Sequence, residues 1–155
     1  MCIRDSAGKV IPGKSQQRKD MTEIMVAHGI PYAAQASPSH WRDLVKKMEK
    51  ALAVDGPAFL NVLAPCPRGW RHDTSKSIEI ARLAVETCYW PLYEVEDGVY
   101  RVTQKPKEKR PVSEWLFAQG RFAHLKKPEN AGFVQEIQEF VDRKWAYLLE
   151  QAASK

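Results

Sequence analysis

The sequence predicts an α/β fold: a strand–helix–strand unit with parallel strands, followed by a peripheral β-hairpin and C-terminal helices. Three observations point there. Short apolar runs at 32–36 and 58–63 flank a stretch with helical apolar spacing. Asp97-Gly98 sits between two alternating runs. Beyond residue 128 a single apolar stripe recurs at helical intervals.

Each element has a local reason. The opening segment to Ser15 contains Gly8, Pro12 and Gly13 and no helical period, so it reads as a loop or arm. Residues 18–28 carry Met21, Ile24, Met25 and His28 on one face, with Gly29 to end the helix and Pro31 to block its continuation. Residues 32–36 are short and apolar, a buried strand. Ser37 caps the next helix and Pro38 suits its first turn. Trp41, Leu44, Val45, Met48 and Leu52 then fall at helical spacing, which predicts an amphipathic helix facing a core. Asp55-Gly56-Pro57 stops it, and residues 58–63 form the second strand, parallel to the first through a right-handed crossover.

After Leu63 the character changes. Ala64-Pro65-Cys66-Pro67-Arg68-Gly69-Trp70-Arg71, with two prolines and a glycine, is a rigid loop leaving the carboxyl end of a parallel strand. In open α/β sheets that edge is where ligands gather. Asp73 or Thr74 caps a helix over 75–88, with Ile78, Ala81, Leu83, Ala84 and Val85 on its buried side. Residues 92–95 and 99–103 pair as the hairpin around Glu96-Asp97-Gly98. A short helix over 112–119 precedes Gly120-Arg121-Phe122. The last helix presents Phe133, Ile137, Phe140, Val141, Trp145 and Leu148.

Composition narrows the function. With 155 residues, 44% hydrophobic and 28% charged, the chain is one folded unit of ordinary composition. No apolar run approaches the ~18 residues of a membrane span. The first residues, MCIRDS, lack the apolar stretch of a secretory signal. Three cysteines, Cys2, Cys66 and Cys88, form no disulfide framework, which predicts a reducing cytoplasm. The net charge of +5 has a focus: Arg101, Lys105, Lys107, Lys109 and Arg110 stand against Glu108 alone. Pro106 and Pro111 make this run an extended, solvated loop. It reads as a wet surface loop or as a docking patch for an acidic protein. It lacks interleaved aromatics, apart from Tyr100 at its edge, which argues against nucleic acid.

No glycine-rich phosphate loop, Cys-x-x-Cys pair, His-Glu-x-x-His or Gly-x-Ser-x-Gly occurs. Cys66 is the first candidate for chemistry. A thiolate on a proline-stiffened loop is placed to bind a metal or a cluster, the alternative being an inert loop cysteine. One cysteine cannot hold an iron–sulfur cluster alone, since about three more sulfurs are needed. Cys88 shares a helix face with Ala81, Ala84 and Val85 and reads as core. His28 sits near a helix C-terminus, and His40, His72 and His124 have no partner at ligand spacing. Trp70, Trp90 and Trp115 read as core or interface aromatics.

From Leu63 to Trp70 the sequence resembles a family, the thiamine-diphosphate-binding β subunit of pyruvate:ferredoxin oxidoreductase. The likeness runs on through Ile78 to Thr87, Trp90 to Val95, and Gln119-Gly120-Arg121-Phe122. Upstream it includes Gly8-Lys9, Lys19-Asp20 and Ala27 to Tyr32. It covers roughly residues 7–150. The resemblance implies the C-terminal half of a thiamine-diphosphate-binding module in a cytoplasmic oxidoreductase. That enzyme uses thiamine diphosphate, Mg²⁺ and [4Fe–4S] clusters. It takes pyruvate and coenzyme A and passes electrons to ferredoxin, assembled from α, γ and δ type subunits or their fused domains. It places one ligand to a [4Fe–4S] cluster on Cys66. The family's other three ligands, its Gly-Asp-Gly diphosphate motif and its Asn-Thr-Gly metal-binding stretch have no counterpart here. Cys88 stands where relatives often have glycine, so no ligand role passes to it. Because ferredoxins are generally acidic, Arg101, Lys105, Lys107, Lys109 and Arg110 become a candidate docking patch. Met1 to Ser6 do not resemble the family and are expected to be a foreign leader. Residues 7–155 then read as one fragment: 7–63 the strand–helix–strand part, 64–74 the cluster-ligand loop, and 75–155 the helix, hairpin and C-terminal helices. The alternatives are a subunit of another 2-oxoacid:ferredoxin oxidoreductase, for example one acting on 2-oxoglutarate, and a small basic binding module without enzymatic activity.

Overall fold

A computed structural model describes residues 18–154. Cys2, Gly8-Lys9 and the expected leader lie outside the described residues. Four strands, β1 (Tyr32–Ala36), β2 (Ala58–Val62), β3 (Leu92–Glu96) and β4 (Val99–Gln104), form one open sheet in the order β2-β1-β3-β4. β1 and β2 run parallel, with Ala34 opposite Leu60. β3 runs antiparallel to both β1 and β4, with Ala33 opposite Val95. The hairpin is thus continuous with the parallel pair, and among the described residues β2 and β4 are the border strands. All five residues of β1 are buried because strands flank it on both sides and helices cover both faces.

Asp20 caps α1 (Met21–Ala27) by accepting from the Glu23 amide at 3.2 Å, and Gly29, at φ +69°, follows its end. α1 meets the sheet through polar groups. Thr22 donates to Gln35 at 3.4 Å and accepts from Asn61 at 3.1 Å, while Glu23 accepts from Tyr93 and Tyr100, each at 2.9 Å. Met21, Ile24 and Met25 stay half-buried.

Helix α2 (Trp41–Ala53) departs from the sequence expectation. Its apolar stripe was expected to face a core, yet Trp41, Val45, Met48 and Leu52 are 61%, 43%, 48% and 86% exposed. The opposite side of the helix lies on the sheet. Lys47, 1% exposed, donates to the Gln35 carbonyl at 2.9 Å, to Asp43 at 2.7 Å and to Thr103 at 2.9 Å. Lys50 reaches Glu94 at 2.6 Å, which also accepts from the Tyr32 hydroxyl at 2.8 Å. The physical reason is that this sheet face presents Tyr32, Glu94, Arg101 and Thr103. Buried polar groups must be paired, and only the polar side of α2 can pair them.

The other elements pack apolar side chains as expected, with one exchange. In α4 (Ser77–Glu86) Ile80 is buried and Ile78 is 47% exposed. α4 packs with α5 (Val112–Phe117) and α6 (Ala131–Ala153) around Trp70, Trp90, Trp115, Phe122, Ile137 and Val141. Lower along α6, Leu148 packs on Tyr93 and Val95 on the sheet face that α1 also covers. At 23 residues α6 is about 35 Å long, enough to join the two cores. No helix among the described residues is long and apolar enough to cross a membrane.

Candidate functional site

The loop after β2 emerges at the carboxyl end of the parallel pair, tied there by the Leu63 amide bonding the Ala36 carbonyl at 3.0 Å. Cys66 is the N-cap of a single helical turn, α3 (Pro67–Trp70). Its thiol is exposed and accepts a weak 3.4 Å hydrogen bond from the Gly69 amide. The flanking Pro65 and Pro67 restrict the backbone on both sides of the sulfur. The turn ends at Arg71 in the left-handed region, φ +56°.

The root of this loop is buried although its tip is open. Trp70 is 8% exposed and meets Trp115 edge-on, ring centroids 5.9 Å apart. The Arg121 guanidinium lies 4.3 Å from the Trp70 ring and 4.6 Å from Phe122, a cation–aromatic stack in a desolvated place. Gln119 holds that guanidinium through an Nε bond of 2.8 Å. The Gly120 amide reaches the Arg71 carbonyl at 3.0 Å. Beside the root, Trp70, Trp90 and Trp115 line a recess of about 180 Å³ that Leu63 and Arg18 also border. The buried Trp115 Nε1 has no hydrogen-bond partner among the described residues.

Cys66 offers one soft donor, suited to one corner of an iron–sulfur cluster. Among the described residues no group of three or more His, Cys, Asp or Glu side chains could hold a metal ion by itself. To such a cluster the described residues offer this one thiol and no complete ligand set. Cys88 is 2% exposed, and burial pushes its thiol up to about 11. It also has φ +56°, a left-handed conformation that glycine adopts more readily than cysteine. His40 bonds Ser39 at 3.0 Å, and burial lowers its imidazole below the usual value. His72 bonds the Asp73 carbonyl at 2.8 Å, and His28 is exposed at the end of α1.

The five basic positions separate in the structure. Arg101 lies in β4 instead of the loop and pairs with Glu96 at 2.7 Å. Lys109 pairs with Asp142, and Arg110 with Glu114 and with Glu86 at 3.0 Å. Lys105 and Lys107 are exposed and make no ion pair among the described residues. The sequence singles out Cys66 as a candidate but not the contacts that anchor its loop. Arg121 and Gly120 act on Trp70 and Arg71 across about fifty residues, and no short spacing records such a contact.

No protein-family model matches the chain. It is 55% identical over 143 residues to the pyruvate synthase subunit PorB of Thermotoga maritima, which covers 92% of the chain and 44% of that subunit. The PorB subunit of Methanocaldococcus jannaschii is 47% identical over 138 residues, 89% of the chain and 45% of the subunit. The chain is homologous to pyruvate synthase PorB subunits. The ketoisovalerate oxidoreductase subunit VorB of Pyrococcus horikoshii is 43% identical over 141 residues, 90% of the chain and 44% of the subunit. The chain spans less than half the length of these curated relatives. The similarity to the PorB subunits bears out the resemblance drawn from the motifs around Cys66.

Proposed function

We propose that the chain acts as the C-terminal part of the thiamine-diphosphate-binding subunit of a multi-subunit 2-oxoacid:ferredoxin oxidoreductase in the cytoplasm. Its substrate is pyruvate, which is oxidised and decarboxylated to acetyl-coenzyme A. The observation that carries this reading is the exposed Cys66 thiol on a loop whose root is pinned by Trp70, Arg121 and Gly120. When bound, thiamine diphosphate with Mg²⁺ supplies the nucleophile and electron sink for the 2-oxoacid, and [4Fe–4S] clusters carry electrons singly to ferredoxin.

The chain's own residues have definable tasks. Cys66 holds one iron through its thiolate. Pro65 and Pro67 limit the conformations lost when the sulfur is fixed. The buried Trp70 root keeps the sulfur at one position relative to the sheet end. Trp70 and Trp115, both buried, give the loop a rigid apolar footing. Lys105 and Lys107 steer an acidic ferredoxin.

The test is Cys66→Ala in the assembled, full-length enzyme. The variant is expected to lose iron and to change its electron-paramagnetic signal while its subunits stay assembled. Full iron content with an unaltered signal would defeat the assignment. The similarity to VorB subunits favours one second reading, a branched-chain 2-oxoacid as substrate. Comparing kcat/KM for pyruvate and 2-oxoisovalerate separates the two.

A further inference from the structure

We infer that the outward face of α2 docks into an apolar groove, bordered by carboxylates, on another subunit in the same assembly. The inference rests on the multi-subunit reading above.

Trp41, Val45, Met48 and Leu52 recur at i, i+4, i+7 and i+11, the spacing of a helix that lies in a groove. They make a stripe about 16 Å long, at 1.5 Å per residue. Each is at least 43% exposed, although their order is that of a buried seam. The helix cannot roll to hide them. Lys47 is held by the Gln35 carbonyl, Asp43 and Thr103, and Lys50 by Glu94. A roll would strip the buried Glu94 of its ammonium partner, leave the Gln35 carbonyl without Lys47, and set apolar side chains on a polar floor.

The direction of the stripe selects the occupant. A sheet continued beyond β2 would place its next covering helix beside α2, in the same layer. Such a helix touches the flank of α2, whereas the stripe points away from the sheet. Only a body stacked outside that layer covers it. Arg42 and Lys46 are exposed along one flank, with Glu49 beyond them. Arg42 lies 5.2 Å from the Trp41 ring, so a cation already sits at the edge of the apolar stripe. A partner with carboxylates at its rim matches that border.

The experiment uses Met48→Cys and Leu52→Cys in the full-length subunit. Maleimide labelling is followed by peptide mass mapping, in the isolated subunit and in the assembled enzyme. Both positions are expected to label rapidly in the isolated subunit and at least about tenfold more slowly in the complex, as burial of a thiol requires. Rapid labelling in both states overturns the inference. Slow labelling in the isolated monomer assigns the cover to the rest of the same subunit and also overturns it. Slow labelling in an isolated subunit that runs as a dimer assigns the face to a second copy, again overturning it. If the full-length subunit assembles with no other subunit, the multi-subunit reading and this inference both fall. If it assembles and the positions stay reactive, only this inference falls.

Discussion

Gly120 and Arg71 touch backbone to backbone: the Gly120 amide donates to the Arg71 carbonyl at 3.0 Å, and a Cβ on Gly120 would lie 2.8 Å from that oxygen. The contact clamps the exit of the Cys66 turn to the segment that carries Arg121. Gly120→Ala must push the two apart. The expected cost is about 1–3 kcal/mol, as for other overpacked sites. Thermal unfolding should show a Tm lower by several degrees, and an unchanged Tm would mean the clamp yields freely.

Lys47 is the pin beneath α2. Lys47→Ala leaves the Asp43 carboxylate, 9% exposed, without its ammonium, along with the Gln35 carbonyl. Breaking one side of a buried pair costs about 3–5 kcal/mol. Replacing both partners, Asp43→Leu with Lys47→Met, is expected to cost less than Lys47→Met alone. A double-mutant cycle in urea measures the difference, and additive losses would show that the pair is not coupled.

Three phenols set the alkaline limit of the fold. Burial first raises Tyr32, Tyr93 and Tyr100 above their ordinary value of 10.0, followed by hydrogen bonds to Glu94 for Tyr32 and Glu23 for Tyr100, and by the charges of Asp20 and Glu23 for Tyr93. Above pH 10 the unfolded chain sheds these protons and the folded chain keeps them, so stability is full below pH 10 and falls beyond it. Cys88 adds to the fall from pH 9.0 upward. Lys47 works the other way. Burial lowers its value below 10.5, so folding gains as pH rises toward 10.5, but it is one group against four. Urea midpoints are expected to drop between about pH 9 and 11. Phenolate absorbance of the native protein should show these three tyrosines silent just above pH 10. Their early titration would contradict the buried hydrogen bonds.

Much of this architecture is legible in the chain. The strand at 32–36, the stop at Asp55-Gly56, the Asp97-Gly98 turn and the apolar stripe of α6 all appear where local chemistry places them. The orientation of α2 does not. Periodicity says which residues share a face, but the choice of face is made by the floor beneath it. Glu94 and Tyr32, distant in sequence, turn that floor polar. Ile78 likewise has the right spacing to be buried, yet Ile80 takes the place. At the site, the Cys66 loop was visible through its prolines. The stack of Arg121 on Trp70 was not, because a cation over a ring leaves no sequence interval.

The basic segment yields a prediction that separates docking from structure. Lys105→Glu with Lys107→Glu should flatten the ionic-strength dependence of ferredoxin reduction in the assembled enzyme. Stability should shift by no more than about 0.5 kcal/mol, because neither lysine is paired among the described residues. Reversing Lys109 and Arg110 instead breaks contacts to Asp142, Glu86 and Glu114. An unaltered salt dependence in the first double variant would remove the steering role.

The hairpin turn also governs alignment. Asp97 and Gly98 both adopt left-handed backbones, and the Asp97 amide bonds the Pro31 carbonyl at 2.9 Å, just ahead of β1. One tight corner thereby sets where β4 meets β3 and where β3 meets β1. Slippage of β3 by a single residue would point Glu94 toward Leu148 and bring Tyr93 under Lys50, inverting both faces at once. Two residues at a solvent-facing corner act as the gauge for three strands.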